Sequence, residues 1–352
     1  MSDTTPEPKL LLLHTGGTIG MREGPRGYVP DDLPLADTIC RMPQLVDPEA
    51  PRFTTPAFKR GRVHYDVLQY DPLIDSANLD PSGWARLARD VGERMDDYDG
   101  FVILHGTDTM AYTASALSFM LEGLRKPVIL TGSQIPLVQL RNDGLDNILG
   151  ALGVAAYYPI PEVCIYFHHE LYRGNRAIKQ DARSLEAFAS PNLPPLVSVG
   201  IDVEVRSDLL LEPDPRPAHV ETRLSPHVAA LRMYPGMTRE VLENFLRPPL
   251  EGLVLETYGS GNFPDQRRDL LDVVRAACER GVWILNVTQC PRGVVRDDYA
   301  AGRALSDVGA LAGGDLTAEA ALTKLAYALG KGQSRQATHA LLTRPLRGEM
   351  SA

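Results

Sequence analysis

The sequence has little of what usually marks a secreted, membrane-bound or zinc-binding protein. Its four cysteines are widely separated and form no CxxC pair, which argues against a disulfide framework and against a zinc site. Its apolar runs are far shorter than the roughly 20 residues that a membrane-spanning helix needs. The N-terminus, "MSDTTPEPKL", is polar and acidic and lacks the basic and apolar regions of a secretory signal. We therefore expect a cytoplasmic protein without a membrane partner.

The sequence also has fewer basic than acidic residues. The chain has 36 basic and 45 acidic residues and a net charge of −9, which disfavours binding to the phosphates of nucleic acids. The hydrophobic fraction, 44%, and the charged fraction, 23%, are typical of globular proteins. At 352 residues the chain is too long for one ordinary core, so we expect two domains.

Short apolar runs lead directly into polar, glycine-containing loops. These are residues 10–13 before "HTGGT", 101–104 before "HGTDT", 128–130 before "TGSQ", 253–255 before "ETYGSGN" and 282–287 before "TQCPRG". Continuous apolar character predicts strands buried on both faces. Helical periodicity lies between them, with an N-cap signal at Asp80-Pro81 and a stop signal at Gly281. The alternation predicts an α/β fold with largely parallel sheets, in which ligands bind at the carboxyl ends of strands.

Two irregular segments interrupt this pattern. Residues 205–226 are rich in proline and charge, which predicts a linker between a domain at 1–204 and a domain at 227–352. The segment "MREGPRGYVPDD" follows the first glycine loop and contains Tyr28. Its glycines and prolines predict a mobile lid rather than a packed element.

Hydroxyl and carboxylate side chains follow two of the predicted strands, as Thr15 in "HTGGT" and as Thr107 and Asp108 in "HGTDT". Such residues often cap helices, and "TGGTIG" matches neither the dinucleotide nor the phosphate-loop fingerprint. The alternative is a hydroxyl nucleophile, which needs a base and an oxyanion stabiliser. Backbone N–H groups of the glycine loops could stabilise the oxyanion.

The base is harder to identify from the sequence. We expect His105 to pack or bond locally, and we set aside a metal site at His168-His169 because neighbouring strand residues point to opposite faces. Lys179, in "RGNRAIKQDA", is either an ordinary surface lysine or a proton acceptor. The second role requires that burial beside Asp108 lower its pKa.

Several motifs together resemble the L-asparaginases, and most of all the bacterial cytoplasmic (type I) enzymes. They are "HTGGTIG", "DGFVILHGTDTMAYTASALSFML", "KPVILTGSQIP", "LYRGNRAIK", "FASPNLPPL", "YGSGN", "VTQC" and "DLTAEAALTKLAYAL". The likeness covers nearly the whole chain. It implies an amidohydrolase that converts L-asparagine to L-aspartate and ammonia through a threonine nucleophile and a covalent acyl-enzyme.

The resemblance implies a role for each matching residue of the reaction centre. Thr15 corresponds to the nucleophile, and Tyr28 corresponds to the lid tyrosine that closes over it and helps to activate it. Thr107, Asp108 and Lys179 correspond to a second Thr–Asp–Lys set, with Lys179 in proton transfer.

Substrate-binding residues are implied in the same way. Asp75 and Ser76, in "PLIDSANL", correspond to the segment that holds the α-carboxylate of the substrate and neighbouring groups. Asp108 corresponds to the residue that binds the α-amino group, beside Thr107. Ser133 lies in the loop that contacts the side-chain amide. No metal and no organic cofactor is implied.

The resemblance also implies an architecture and an assembly. The family has two α/β domains, a larger N-terminal one with a mixed or parallel sheet and a smaller C-terminal one with a flavodoxin-like parallel sheet. Its active sites form between subunits, so a homodimer or a tetramer of two dimers is implied. The loop 257–262 is our candidate for the contribution of the neighbouring subunit.

The sequence departs from the type I pattern at two places. Glu256 stands where relatives typically carry an arginine, and Ala177 and Ile178 stand where they carry two hydroxyl residues. Those features belong to an allosteric asparagine site in some members, so we expect that allostery to be absent or altered here. Residues 57–66 resemble an insertion, which we expect to be a surface loop. The role of His14 is open, but strand alternation predicts that its side chain points away from Thr15.

Three other functions compete with this interpretation. A protein of the same fold could prefer glutamine, or could be the amidotransferase subunit that releases ammonia for tRNA charging. That subunit normally carries an additional N-terminal domain, whereas here the first motif begins almost at once. A non-catalytic amino-acid-binding protein is the alternative from another class. The joint presence of Thr15, Tyr28, Thr107, Asp108 and Lys179 argues against it.

Overall fold

The structure is a computed structural model that describes residues 7–25, 27–30, 33–51, 53–296 and 300–351. Contacts between Cα atoms divide the chain into two compact units, the first ending at Glu221 and the second beginning at Thr222, with residues 191–193 belonging to the second unit. Residues 205–221 thus belong to the first unit, while the predicted domain limits at 204 and 227 stay a prediction. No helix in the described part of the chain is long and apolar enough to cross a bilayer.

The first unit is built mainly from short strands. They are β1 (Lys9–His14), β2 (Met21–Gly24), β3 (Gly27–Pro30), β4 (His64–Gln69), β5 (Gly100–Leu104), β6 (Leu121–Glu122), β7 (Val128–Thr131), β8 (Val163–Phe167), β9 (Glu170–Arg173), β10 (Ile178–Lys179), β11 (Phe188–Ala189), β12 (Val197–Val199), β13 (Val203–Val205) and β14 (His219–Val220). Its α-helices are α1 (Leu35–Ile39), α2 (Pro81–Gly92), α3 (Met110–Met120) and α4 (Gly144–Tyr157).

Within the described residues, eight of these strands form one mixed sheet in the order β13-β12-β9-β8-β7-β5-β1-β4. The strands β4, β1, β5, β7 and β8 are parallel, and β9, β12 and β13 complete the sheet by antiparallel pairing. The four leucines of β1 and all residues of β5 are buried. The continuous apolar runs of the sequence correctly predicted strands with both faces covered.

Helix α2 begins where the sequence predicted. The side chain of Asp80 accepts a hydrogen bond from the N–H of Gly83 at 3.0 Å, and Pro81 is the first helical residue. This is the usual N-cap arrangement, because proline has no N–H that would be left without a partner in the first turn. The helix buries Trp84, Leu87 and Val91.

The second unit is a three-layered α/β structure. Its strands β15 (Val228–Arg232), β16 (Gly252–Thr257), β17 (Trp283–Thr288) and β18 (Leu311–Ala312) form a parallel sheet in that order. Its helices are α5 (Arg239–Phe245), α6 (Arg268–Glu279), α7 (Ala300–Ser306), α8 (Ala318–Gly330) and α9 (Arg335–Thr343). Leu253 and Leu255 pack with α5 and α6, whereas Val254 packs with α8 and α9. Alternate residues of β16 therefore pack into two hydrophobic cores on opposite faces of the sheet.

Two local predictions were wrong, and a third was wrong in part. The segment around Tyr28 is not irregular, because β2 and β3 pair as an antiparallel hairpin; its residues 26, 31 and 32 lie outside the described residues, and its role as a lid stays a prediction. Residues 57–66 are not simply a surface loop, because β4 begins at His64 and pairs in parallel with β1. His168 and His169 do not lie on a strand. Both have positive φ, 48° and 67°, in the turn between β8 and β9.

Candidate active site

The loops that carry the two threonines lie next to each other. Strands β1 and β5 are parallel neighbours in which His14 is aligned with Leu104. Beyond that pair, the backbone N–H and the hydroxyl of Thr15 both donate to the carbonyl oxygen of Leu104, each at 3.0 Å. The side chain of Thr15 is buried. The parallel register therefore brings the "HTGGT" and "HGTDT" segments to one edge of the sheet.

Glycine is required where these loops meet. Gly16 and Gly17 have φ values of +135° and +93°, which side chains with a Cβ rarely adopt. A Cβ on Gly17 would lie 2.5 Å from the Cα of Gly106, and one on Gly16 would overlap the carbonyl of Ile74. The two glycines thus allow the first loop to pack against the second and against the chain after β4.

Lys179 joins the second loop through two hydrogen bonds. Its Nζ donates to the hydroxyl of Thr107 at 2.8 Å and to Oδ1 of Asp108 at 2.6 Å. The lysine lies on β10 with a side chain only 18% exposed, whereas the side chain of Asp108 is 66% exposed. The lysine is therefore not the ordinary surface residue that the sequence left open. It lies between a buried hydroxyl and an accessible carboxylate.

The segment after β4 contacts both threonine loops. The N–H of Ile74 donates to the carbonyl of Thr15 at 2.7 Å, and the hydroxyl of Thr109 donates to the carbonyl of Ser76 at 2.7 Å. Asp75 caps a 3₁₀ helix at Ser76–Asn78 by accepting from the N–H of Ala77. Asp75 is exposed and Ser76 is buried. The structure thus brings this predicted substrate segment to the edge that carries Thr15.

The loop after β7 contributes Ser133 and one residue that the sequence interpretation missed. Ser133 is buried, and its hydroxyl has no hydrogen-bond partner among the described atoms. Gln134, next to it, accepts from the hydroxyl of Thr107 at 3.2 Å and donates through Nε2 to the carbonyl of Ser184 at 3.2 Å. The motif "TGSQ" could have indicated Gln134, because Gln134 follows the same strand as Ser133.

The hydroxyl of Tyr28 forms its hydrogen bond outside this group of residues. It lies on β3, it is 47% exposed, and its hydroxyl accepts from Nε2 of Gln139 at 3.2 Å. The hydrogen bonds of the described residues include none between Tyr28 and Thr15. Of the predicted reaction-centre residues, four lie around the ends of β1 and β5, and Tyr28 lies on the adjoining hairpin.

Two histidines near these loops are buried. Nδ1 of His105 lies 2.6 Å from the carbonyl oxygen of Gly106, and its Nε2 lies 3.0 Å from the hydroxyl of Thr113. The predicted local bonding of His105 is confirmed. Burial lowers the pKa of His105 and of His14 to about 4. Both rings are therefore neutral at neutral pH.

The positions that depart from the type I pattern have partners of their own. Glu256 forms an ion pair with Arg232, Oε2 to Nε at 3.3 Å, in the second unit. Ala177 is fully buried, and Ile178 lies on β10 beside Lys179. The carboxylate of Glu256 already has a cationic partner on the neighbouring strand. The expected change in allostery stays a prediction.

Comparisons with known proteins agree over almost the whole chain. The family model described as "Asparaginase, N-terminal" matches residues 9–211, and "Glutaminase/Asparaginase C-terminal domain" matches residues 227–342. L-asparaginase 1 of Escherichia coli is 46% identical over 97% of this chain and 98% of its own.

Two further relatives extend this comparison. The 60 kDa lysophospholipase of Homo sapiens is 46% identical over 98% of this chain, which spans only 62% of the human protein. The crystal structure of L-asparaginase I from Vibrio cholerae superposes with a TM-score of 0.87 at 43% identity, covering 99% of this chain and 100% of the other. By its family models, its sequence relatives and its fold, the chain belongs to the asparaginase family.

Proposed function

We propose that this protein is an L-asparaginase, which hydrolyses L-asparagine to L-aspartate and ammonia. The observation that carries the proposal is the junction of two groups at the carboxyl ends of β1 and β5. One is the buried hydroxyl of Thr15 in a glycine loop, and the other is the Thr107–Lys179–Asp108 set. Family membership and the near-complete match to an E. coli protein named L-asparaginase 1 support the same conclusion.

The charges around the site suit an α-amino acid with a side-chain amide. The exposed carboxylate of Asp108 is available to a substrate ammonium, as well as to Lys179. We assign the α-carboxylate to the segment at Asp75 and Ser76, where backbone N–H groups and a hydroxyl lie at the same edge of the sheet. The amide would then extend toward Thr15 and Ser133. Holding both charged ends of the substrate fixes the amide in place, which removes much of the entropic barrier to attack.

In the first step, Oγ1 of Thr15 attacks the amide carbon of the substrate. An O–C bond forms, the C–N bond breaks, and the hydroxyl proton leaves with the nitrogen as ammonia. The hydroxyl donates to the carbonyl of Leu104 in the structure, and this bond must break before the proton can be transferred. Tyr28 is our candidate for relaying that proton: its phenol oxygen accepts the proton of Thr15 while its own proton passes to the leaving nitrogen. Backbone N–H groups near Thr107 stabilise the negative charge on the amide oxygen, and losing one such donor typically costs about a hundredfold or more in rate.

In the second step, water cleaves the aspartyl ester. We assign the proton of this water to the Thr107–Lys179 pair, because Nζ of Lys179 lies 2.8 Å from the hydroxyl of Thr107. In the proposed step the hydroxyl donates across this distance and the amine accepts. A lysine can accept a proton only in its neutral form. Aspartate leaves, the proton returns to Thr15, and the balance is one water consumed for each ammonia released. The proposed chemistry uses no metal and no organic cofactor.

We further propose that the protein works as a homodimer or as a dimer of dimers, in the cytoplasm. The glycine-rich loop at 257–262 is the proposed contribution of a neighbouring subunit. Its hydroxyl at Thr257 bonds to Asn286 within its own unit, so we expect the remainder of the loop, and not Thr257, to face the neighbour.

Ammonia release from L-asparagine and from L-glutamine, measured side by side on size-separated fractions, tests these proposals together. We expect release from asparagine in the dimeric or larger fraction, with much less from glutamine. Equal or greater release from glutamine would identify a glutaminase of the same fold. Release from neither would contradict the enzymatic proposal, and a fully active monomer would contradict the proposed assembly.

A further inference from the structure

His14 precedes Thr15 directly, but its side chain takes no part in the chemistry proposed above. The imidazole is 1% exposed and lies against two residues of different segments. Its Nδ1 is 3.4 Å from Oε1 of Gln69, at the end of the neighbouring strand β4. Its Cε1 and Nε2 face Gly20, where a Cβ would lie 2.6 Å and 2.7 Å away. Glycine at position 20 therefore leaves the space that the ring fills.

These contacts lie at both ends of the Tyr28 hairpin. Gly20 is the last residue before β2, and Leu35 is the first residue of α1, which follows β3. The N–H of Leu35 donates to Oε1 of Gln69 at 2.8 Å. One oxygen atom thus lies against both the first turn of α1 and the ring of His14. One residue before the hairpin and one residue after it in the chain thus contact a single histidine–glutamine pair.

The hydrogen bond from Leu35 shows which atom of the His14–Gln69 pair is the donor. A backbone N–H can only donate, so the Gln69 atom that faces Leu35 is the amide oxygen. The same oxygen is the neighbour of Nδ1 of His14, which must therefore carry the proton. Burial lowers the pKa of His14 to about 4, which keeps the ring in this neutral Nδ1–H form at neutral pH.

We propose that His14 is a positioning residue, which acts with Gln69 to hold Gly20 and Leu35 and so sets the approach of Tyr28 to Thr15. The inference rests on the proposed function, in which Tyr28 serves Thr15. It explains why a polar ring occupies an otherwise apolar strand end. The ring links the strand that carries the nucleophile to the hairpin that carries the tyrosine.

A matched pair of variants separates the hydrogen bond from simple space filling. In His14→Asn the amide nitrogen takes the place of Nδ1 and can still donate to Gln69, whereas His14→Leu has a similar shape and no donor. We expect His14→Leu to lower kcat about 10-fold with little change in KM, since small displacements of catalytic groups are costly. His14→Asn should recover most of that loss. Equal kcat values for the two variants would overturn the proposed hydrogen bond.

Gln69 provides a second pair in case the histidine variants fold poorly, because Gln69 is exposed. Gln69→Glu keeps an acceptor for Leu35 and His14, whereas Gln69→Met keeps the length and removes the acceptor. We expect Gln69→Met to reproduce the kcat loss of His14→Leu and Gln69→Glu to retain most activity. Wild-type kcat in Gln69→Met would contradict the proposal.

A double-mutant cycle tests whether the effect passes through Tyr28. If it does, His14→Leu should lower kcat by less than about 2-fold in a Tyr28→Phe background, because the effects of two residues that act through one pathway are not additive. A full 10-fold loss in that background would show that His14 acts independently of the hairpin and would overturn the proposal.

Amide hydrogen exchange gives a readout that does not depend on the reaction. Peptides covering 21–30 should exchange faster in His14→Leu than in wild type, while peptides covering β5 should be unchanged. Unchanged exchange at 21–30 would refute the positioning role even in an active enzyme. Conversely, faster exchange in a protein that releases no ammonia from any amide would leave the anchoring intact and reject only the proposed function.

Discussion

The ends of β1 and β5 look alike in the sequence but differ in their contacts. Each strand delivers a buried histidine and a threonine into a glycine loop at the same sheet edge. The hydroxyl of Thr107 contacts Lys179 and Gln134, whereas the hydroxyl of Thr15 bonds to a backbone carbonyl. Thr107 therefore has a basic side chain beside its hydroxyl, whereas Thr15 lies on the loop that packs against the hairpin. Two similar motifs serve two different steps in the proposed reaction.

The two histidines show the same contrast. Both nitrogens of His105 lie within hydrogen-bonding distance of Gly106 or Thr113, inside its own loop and helix. His14 has Gln69 for Nδ1, and its Nε2 has no partner among the described atoms. A fully bonded buried histidine stabilises its surroundings, whereas a partly bonded one is worth testing for a role in function.

The largest effect should come from Thr15→Ala, which removes the proposed nucleophile. We expect kcat to fall about 10³-fold or more with the fold intact, since losing a nucleophile leaves only binding and oxyanion stabilisation. Mass spectrometry of acid-quenched enzyme with L-asparagine locates the acyl group. Thr107→Ala should accumulate it on the peptide that contains Thr15, because water activation is slowed. An acyl group on Thr107 of the wild-type enzyme would mean that Thr107, and not Thr15, is the nucleophile.

A smaller but still large effect should follow from Lys179→Met. Loss of a proton-transfer group typically costs about 10²–10⁴-fold, so we expect kcat to fall by about 10²-fold with KM within a few-fold of wild type. Lys179→Arg is the matched control, because arginine keeps the positive charge and cannot act as a base at working pH. If Lys179→Arg restored kcat, the lysine would act by charge alone. A change confined to KM would argue for substrate binding instead.

The last prediction concerns stability against pH rather than the rate of the reaction. Burial lowers the folded-state pKa of both histidines to about 4 from the ordinary value of 6.5, so between these values the unfolded chain binds more protons. The free energy of unfolding should be highest above pH 6.5 and fall as pH drops toward 4, by up to about 3 kcal/mol for each histidine. Chemical denaturation across this range measures it. His14→Asn and His105→Asn should each flatten the profile, and a profile that neither variant changes would contradict the buried neutral rings.

Much of the site could be predicted because its residues follow strands in the sequence. Continuous apolar runs identified β1, β5 and β7, and parallel strands end at one edge, so Thr15, Thr107 and Ser133 had to come together. The predictions failed where local composition was the only guide. Residues 21–30 are rich in glycine and charge, yet residues 21–24 pair with 27–30 as a hairpin, and His64–Gln69 alternates poorly, yet it completes the sheet beside β1. The hairpin is a local pairing that its composition does not indicate, whereas β4 depends on long-range pairing with β1, which no local pattern records.

The sequence by itself determined the α/β class, the two threonine loops and the glycines that let them meet, because strand burial and backbone sterics are local properties. The tertiary structure alone decided that Lys179 bonds both Thr107 and Asp108, and that Gln134 belongs to the same network. It also decided that His14 lies between Gly20 and Gln69. These contacts join residues separated by up to 72 positions in the chain. They depend on the register of β1 against β4 and β5, which is set by packing of the whole sheet.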